Sequence, residues 1–222
     1  PDWSIDNSFI TWEWFLKWYD TAIINKTIIQ SDWKIIVIWD FLSYNWQWAN
    51  SIARLNSDWS FDSSFNIWDW FGLNIWDWII EDWWFWWNWT AYDIKPTNDW
   101  WFIVGGEFAF YDKNEANNIV KLNPDWSNNT NLNNNDIKWF DSAVYEIKTQ
   151  DDGKILVGWE FSSYNWQSAN WLIRLNSNWS IDNSFDIWDG FGGWKNTASI
   201  STIWIQNDNK ILVGGFFNNY NW

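Results

Sequence analysis

Thirty tryptophans in this chain of 222 residues recur at positions that other copies of the same internal repeat fill with glycine. The segment Gln30-Ser31-Asp32-Trp33-Lys34-Ile35-Ile36-Val37-Ile38-Trp39-Asp40-Phe41 lies over Gln150-Asp151-Asp152-Gly153-Lys154-Ile155-Leu156-Val157-Gly158-Trp159-Glu160-Phe161. Trp33 falls on Gly153, and Trp39 and Trp159 share a column with Gly106 and Gly215. In Ile67-Trp68-Asp69-Trp70-Phe71 against Ile187-Trp188-Asp189-Gly190-Phe191, Trp70 matches Gly190. Glycine is used where a chain turns left-handed or approaches another closely, and tryptophan is its poorest steric substitute.

Tight hairpin turns centred on Asp-Gly or Asn-Gly need positive φ. Here the position after Asp or Asn carries Trp3, Trp33, Trp46, Trp59, Trp100, Trp126, Trp166, Trp179 or Trp222. A non-glycine residue in that region costs about 1–2 kcal/mol. Nine such sites sum to roughly 9–18 kcal/mol, against a domain stability of about 5–15 kcal/mol. The fourth copy of the Asp32-Trp33 turn reads Asp208-Asn209, and asparagine also tolerates positive φ. The column therefore reads as glycine, and most tryptophans as glycine codons (UGA) translated as Trp. The alternative is a true aromatic-rich chain, such as a carbohydrate binder with stacked indoles. Composition favours the glycine reading: Asn, Ile, Asp, Lys and Phe abound, and Arg54 and Arg174 are the only arginines, as in a strongly A/T-biased gene. Ten glycines would become about forty, roughly 18% beside a usual 7% or so, which suits a turn-dense β protein. Trp101 aligns with Lys34 and Lys154, and Trp204 with Ile28 and Lys148, so these two stay undecided.

The net charge of −15 argues against nucleic acid, whose phosphates need clustered Lys and Arg, and against anionic membrane surfaces. Without cysteine there are no disulfides or thiolate metal sites. Without histidine the usual general base and the commonest metal ligand are missing. No apolar run is long enough to span a bilayer as a helix, so direct membrane insertion is not expected. The chain opens on Pro1 and has no methionine, which suggests a fragment or a processed piece.

The Asp/Asn-Trp-Ser marker recurs at Asp2, Asp58, Asp125 and Asn178, a period that signals a repeat architecture. Each unit has one grammar: a short apolar segment, an Asp-Gly-type turn, a strand rich in β-branched residues, and a polar loop (Tyr-Asn-Trp-Gln in two units). An alternating strand such as Ser51 to Asn56, the marker turn and a returning strand such as Phe61 to Phe65 complete it. No helical periodicity is present. The expectation is an all-β chain, part of a β-propeller, with about four four-stranded antiparallel blades of a larger ring. One repeat domain covers 1–222, in units of about 1–56, 57–123, 124–176 and 177–222. Ile35 to Phe41, Phe102 to Phe108, Ile155 to Phe161 and Ile211 to Phe217 should be equivalent strands, buried on both faces. An open β-solenoid is the competing architecture.

With glycines restored, Asp152 to Phe161, Arg174 to Phe185 and Asp208 to Phe217 resemble the delta-60 repeat family of bacterial surface and secreted proteins. The resemblance covers essentially the whole chain and is weakest at 76–90 and 128–139. It implies a β-propeller, an extracellular or cell-surface location and no assigned activity.

Candidate chemistry is sparse. Trp-Asp dipeptides at Trp39, Trp68, Trp76 and Trp188 lack the Gly-His partner of WD40 blades, since there is no histidine, and they read as Gly-Asp. Gly192-Gly193-Trp194-Lys195-Asn196-Thr197 lacks the hydroxyl residue directly after lysine that a P-loop needs. Asn56, Asp58, Ser60 and Asp62, and again Asn176, Asn178, Ser180 and Asp182, offer oxygens at alternate residues. Calcium takes six to eight oxygens, but this series lacks the following glycine and distal glutamate of known loops, and turn chemistry explains it. Glu81-Asp82 and Asp151-Asp152 read as solvated carboxylates, and the sequons at Asn88 and Asn128 are ordinary in an Asn-rich chain. No catalytic, cofactor-binding or metal residue is assigned, and no cofactor is expected. The favoured reading is a non-enzymatic structural or binding module of a larger extracellular or surface protein. Its partners would be an unidentified protein or glycan and other domains of the same protein. The alternative is a carboxylate-dependent, glycosidase-like enzyme on extracellular polysaccharide. A catalytic site should break the repeat symmetry with one buried acid in one blade only.

Overall fold

A computed structural model describes residues 15–16, 22–41, 43–49, 51–65, 71–72, 90–97, 101–111, 114–128, 139–185, 190–192 and 198–220. These residues form strands, turns and bends, and every strand pairing is antiparallel. Each unit begins with a first strand (Ile23–Ile29, Thr90–Pro96, Glu146–Thr149 or Ser199–Ile205). It pairs with a second strand (Ile35–Asp40, Phe102–Glu107, Ile155–Gly158 or Ile211–Phe216). In three units the second strand pairs onward with a third (Ile52–Leu55, Ile119–Leu122 or Leu172–Leu175). The expected fourth strand is a single bridge, Leu55 to Phe61, Leu122 to Asn128 and Leu175 to Ile181. The returning chain leaves the sheet there to make an Asx turn, with the Ser64 and Ser184 amides bonded to Asp62 and Asp182.

First strands contact first strands in chain order, and those of the second, third and fourth units also pack on the preceding unit's sheet. The described sheets follow one another without closing on themselves. This stacking explains the apolar second strands: Ile36, Val37 and Ile38, like Leu156 and Val157, are buried on both faces. Ile211–Phe216 departs from that expectation. It holds the equivalent place, but Leu212 is 54% and Phe216 69% exposed, because no described unit packs on its outer face.

The polar loop of the first three units is a small hairpin that the sequence did not suggest would tie units together. Ser43–Tyr44 pairs with Gln47–Trp48 and also with Phe15–Leu16 of the preceding stretch. Phe110–Tyr111 takes Phe71–Gly72 in the same way, Tyr164 bridges to Phe140, and Asn219–Tyr220 pairs with Phe191–Gly192. Phe15, Phe71, Phe140 and Phe191 therefore sew one unit to the next hairpin.

Turn geometry is uniform across the copies. Trp33, Gly153 and Asn209 occupy one left-handed turn position, with φ of 65°, 81° and 63°. Trp59, Trp126 and Trp179 occupy another, with φ of 67°, 68° and 67°. In both, the residue before Trp has ordinary φ, so the hairpin is a type I turn closed by a left-handed bulge residue, rather than a turn with two positive-φ centres. Tyr-Asn-Trp-Gln has both: Asn45 and Trp46 at 47° and 65°, and Asn165 and Trp166 at 54° and 66°. The turns at Trp3, Trp100 and Trp222, and the segment around Trp68 and Trp70, lie outside the described residues.

Candidate functional site

Three of the four first strands carry one extra residue against their partner. The register shifts between Ile24 and Lys26, between Ala91 and Asp93, and between Ile200 and Thr202, so Asn25, Tyr92 and Ser201 are the bulged residues. In the third unit the pairing of Glu146 with Gly158 puts Tyr145 at the same place. A bulge re-aims a side chain out of the ladder, and here it aligns one residue per unit. The Asn25 amide donates to the Tyr92 carbonyl oxygen at 2.7 Å. The Tyr92 ring stacks on Tyr145 with centroids 3.7 Å apart, and Tyr145 stacks on the Trp159 indole, again at 3.7 Å.

One position further on, the copies diverge to Lys26, Asp93, Glu146 and Thr202. Asp93 is the buried acid present in one unit only, its side chain 1% exposed. Its Oδ1 accepts from the Ile94 amide at 2.8 Å and from Lys95 Nζ at 2.9 Å, with Lys26 Nζ at 3.5 Å. Its Oδ2 accepts from the Ile147 amide of the next unit at 2.8 Å. The carboxylate therefore joins three units and spends both oxygens doing so. Lys148 pairs with Glu146 at 2.6 Å. Burial lowers the Lys95 ammonium below the ordinary lysine range, against the pull of Asp93. Lys26 loses to burial first, but Asp93 and Glu146 outweigh that and hold it above.

A third row follows from the register. Asp40, Glu107 and Phe216 pair with Ile23, Thr90 and Ser199, and Glu160 is the third unit's counterpart. The row is acidic in three units of four. The Tyr92 hydroxyl donates to Glu107 Oε2 at 3.1 Å. Burial first, then Tyr145 and the Glu107 carboxylate, pushes the Tyr92 phenol up, and burial with the charges of Glu107 and Glu160 raises that of Tyr145 against the hydrogen bond with Tyr92.

The column beside this acidic row holds Trp39, Gly106, Trp159 and Gly215. A Cβ on Gly106 would press on the Thr90 carbonyl oxygen, and one on Gly215 on the Ser199 carbonyl oxygen, far inside van der Waals contact. In the third unit the ladder stops at Gly158, one residue before Trp159.

The oxygen series weighed for calcium is engaged within its own turns. Asn56 donates to Ser60 Oγ at 2.8 Å, and Ser60 donates to Asp58 through its amide (3.0 Å) and hydroxyl (2.6 Å). Asp62 is held by Arg54 Nε at 2.6 Å and Lys34 Nζ at 2.8 Å, and Asp182 by Arg174 Nε at 2.7 Å and Lys154 Nζ at 3.1 Å. Burial alone would raise the Asp62 carboxyl, but hydrogen bonds from Lys34, Ser64 and Arg54 keep it well below the usual range. The Ser184 hydroxyl, with Lys154 and Arg174, does the same for Asp182. Asp151 and Asp152 lie on an exposed turn. The Glu81-Asp82 pair and the Gly193 to Thr197 loop lie outside the described residues, as do Asn88 and the residues that complete the sequon at Asn128. The bulge row was missed in the sequence because a one-residue register shift depends on both strands; only the Tyr92 and Tyr145 repetition hinted at it.

No curated protein matches the chain. Residues 30–65, 100–131, 150–185 and 206–222 match the family described as "Domain of unknown function (DUF5122) beta-propeller". These segments hold second strands, marker turns and the Arg–Asp pairs, and they make up more than half of the sequence; the chain therefore belongs to the DUF5122 beta-propeller family.

Proposed function

We propose that this chain is a non-catalytic structural and binding module, a propeller portion of a larger extracellular or cell-surface protein of the delta-60 repeat type. The observation that carries the reading is Asp93. It is the symmetry-breaking buried acid that an enzyme would use, yet two main-chain amides and Lys95 occupy its oxygens. A general acid or a nucleophile needs an oxygen open to the reacting bond. The test is a reducing-end assay with soluble polysaccharides, neutral and acidic. Retention of a polysaccharide without release of new ends supports the module; release abolished by Glu146→Gln or Glu107→Gln in a variant that circular dichroism shows to be folded establishes the glycosidase-like alternative.

We also infer that most tryptophans stand where the natural protein has glycine. Support comes from the left-handed φ at Trp33, Trp46, Trp59, Trp126, Trp166, Trp171 and Trp179 and from the column in which Gly106 and Gly215 leave no room for a Cβ. The Trp179 indole adds to it, since its N–H is buried without a hydrogen-bond partner, which costs about 1–3 kcal/mol. Mass spectrometry of the protein from its native cells should find glycine at Trp33, Trp39, Trp59, Trp70 and Trp179. Tryptophan at those sites would sink the inference.

A further inference from the structure

The bulge row ends in a gap. Asn25, Tyr92 and Tyr145 each have a neighbour of some size along the row, but the next bulged residue is Ser201, which is small and exposed. One face of Tyr145 is covered by Tyr92 and the other by the half-buried indole of Trp159. Trp159 stands in the column of Gly106 and Gly215, and it alone among the described glycine-column residues marks the end of its ladder. With glycine there, nothing in the row would cover that face of Tyr145.

We propose that the Tyr145 face now under the Trp159 indole is, in the natural protein, a binding platform for an alkylammonium cation, with Glu107 and Glu160 supplying the counter-charge. The proposal rests on the glycine reading at position 159 and deepens the binding role by naming the ligand class. Three features select a cation. A tyrosine face attracts cations through its ring quadrupole, best within about 6 Å of the centroid. Glu107 and Glu160 are exposed, Glu107 paired with Thr90 two residues before Tyr92 and Glu160 directly after Trp159 in the chain, and the charge of both acts on the Tyr145 phenol. The nearby lysines are already engaged, Lys26 and Lys95 with Asp93 and Lys148 with Glu146, so none offers an anion its charge. The net charge of −15 draws cations toward the whole surface.

The experiment uses the full chain with glycine at the tryptophan positions, made in two forms that differ only at position 159: one carries Trp159→Gly and the other keeps Trp159. Circular dichroism first establishes that both are folded. Tetramethylammonium is titrated into each, and the Tyr145 ring protons are followed by NMR, with uncharged tert-butanol as the shape control. The Trp159→Gly form should shift saturably with tetramethylammonium and bind tert-butanol about tenfold more weakly. The form that keeps Trp159 should show no saturable shift. Glu160→Gln, an exposed change that spares the fold, should weaken binding severalfold and flatten its salt dependence. Equal response to both probes, or no saturable shift in the folded Trp159→Gly form, overturns the platform itself. Tryptophan at position 159 in protein from native cells overturns the premise instead, and the two failures are read in separate measurements.

Discussion

The Tyr164 hydroxyl donates to the carbonyl oxygen of Trp179, 2.9 Å away and 15 residues along the chain. The same spacing joins Tyr44 to Trp59 and Tyr111 to Trp126, each at 2.6 Å. In three copies the small hairpin thus staples the marker turn that follows it in the chain, and the tyrosine ring packs among the Phe residues that sew units together, as Tyr164 does with Phe140 at 4.7 Å.

Tyr164→Phe keeps the ring and leaves the buried turn carbonyl without its donor. It should lower stability by about 1–2 kcal/mol, read as a fall in the urea midpoint at unchanged slope. Tyr164→Ala also opens a cavity and should cost about 3–5 kcal/mol. Equal midpoints for Tyr164→Phe and the parent would mean the staple contributes nothing.

Asp93→Asn should be among the most damaging isosteric changes in the chain. The amide cannot accept from two main-chain amides and also balance Lys95, and breaking a buried pair this way costs about 3–5 kcal/mol. Chemical denaturation of Asp93→Asn beside Glu160→Gln checks this, the exposed change serving as the control within about 0.5 kcal/mol.

Stability should fall in acid through Asp62 and Asp182. Both carboxyls lie lower in the folded chain than when unfolded. Their contribution is therefore fully present above the unfolded carboxylate pKa of about 3.9 and is lost as pH drops below it. Comparing melts at pH 7 and pH 3, the Asp62→Asn and Asp182→Asn double variant should start less stable and lose less on acidification. An unchanged loss would remove these two groups from the acid limb.

Tryptophan-to-glycine changes should divide by exposure. Trp33, Trp46 and Trp166 are 71%, 72% and 83% exposed at positive φ, so Trp33→Gly, Trp46→Gly and Trp166→Gly should each stabilise by about 1 kcal/mol. Trp179 has the same φ but is 2% exposed. There the relieved strain and the removed orphan N–H oppose a cavity term of about 3–5 kcal/mol, and Trp179→Gly should gain less or lose. Thermal melts of single variants decide it.

Local chemistry was legible in the sequence because a turn reveals itself in a few adjacent residues. Asp32-Trp33 against Gly153 and Asn209 identified a left-handed position, and the run Ile35 to Val37 a doubly covered strand, before any partner was known. The repeat period then gave the all-β class and the equivalence of the units. The sequence also misled where packing decides: Ile211 to Val213 carries the same apolar code as its copies, yet Ile211 and Val213 are only half-buried and Leu212 is exposed, because burial depends on what stacks above the strand. The bulged residues Asn25, Tyr92 and Ser201 with Tyr145 at the equivalent place, the saturation of Asp93 by the Ile147 amide of the next unit, and the sewing of Phe71 and Phe191 into neighbouring hairpins were decided only by tertiary structure. Each depends on the register between strands or on contact between units far apart in sequence, and a one-residue shift that swaps the face of every following side chain leaves no local mark.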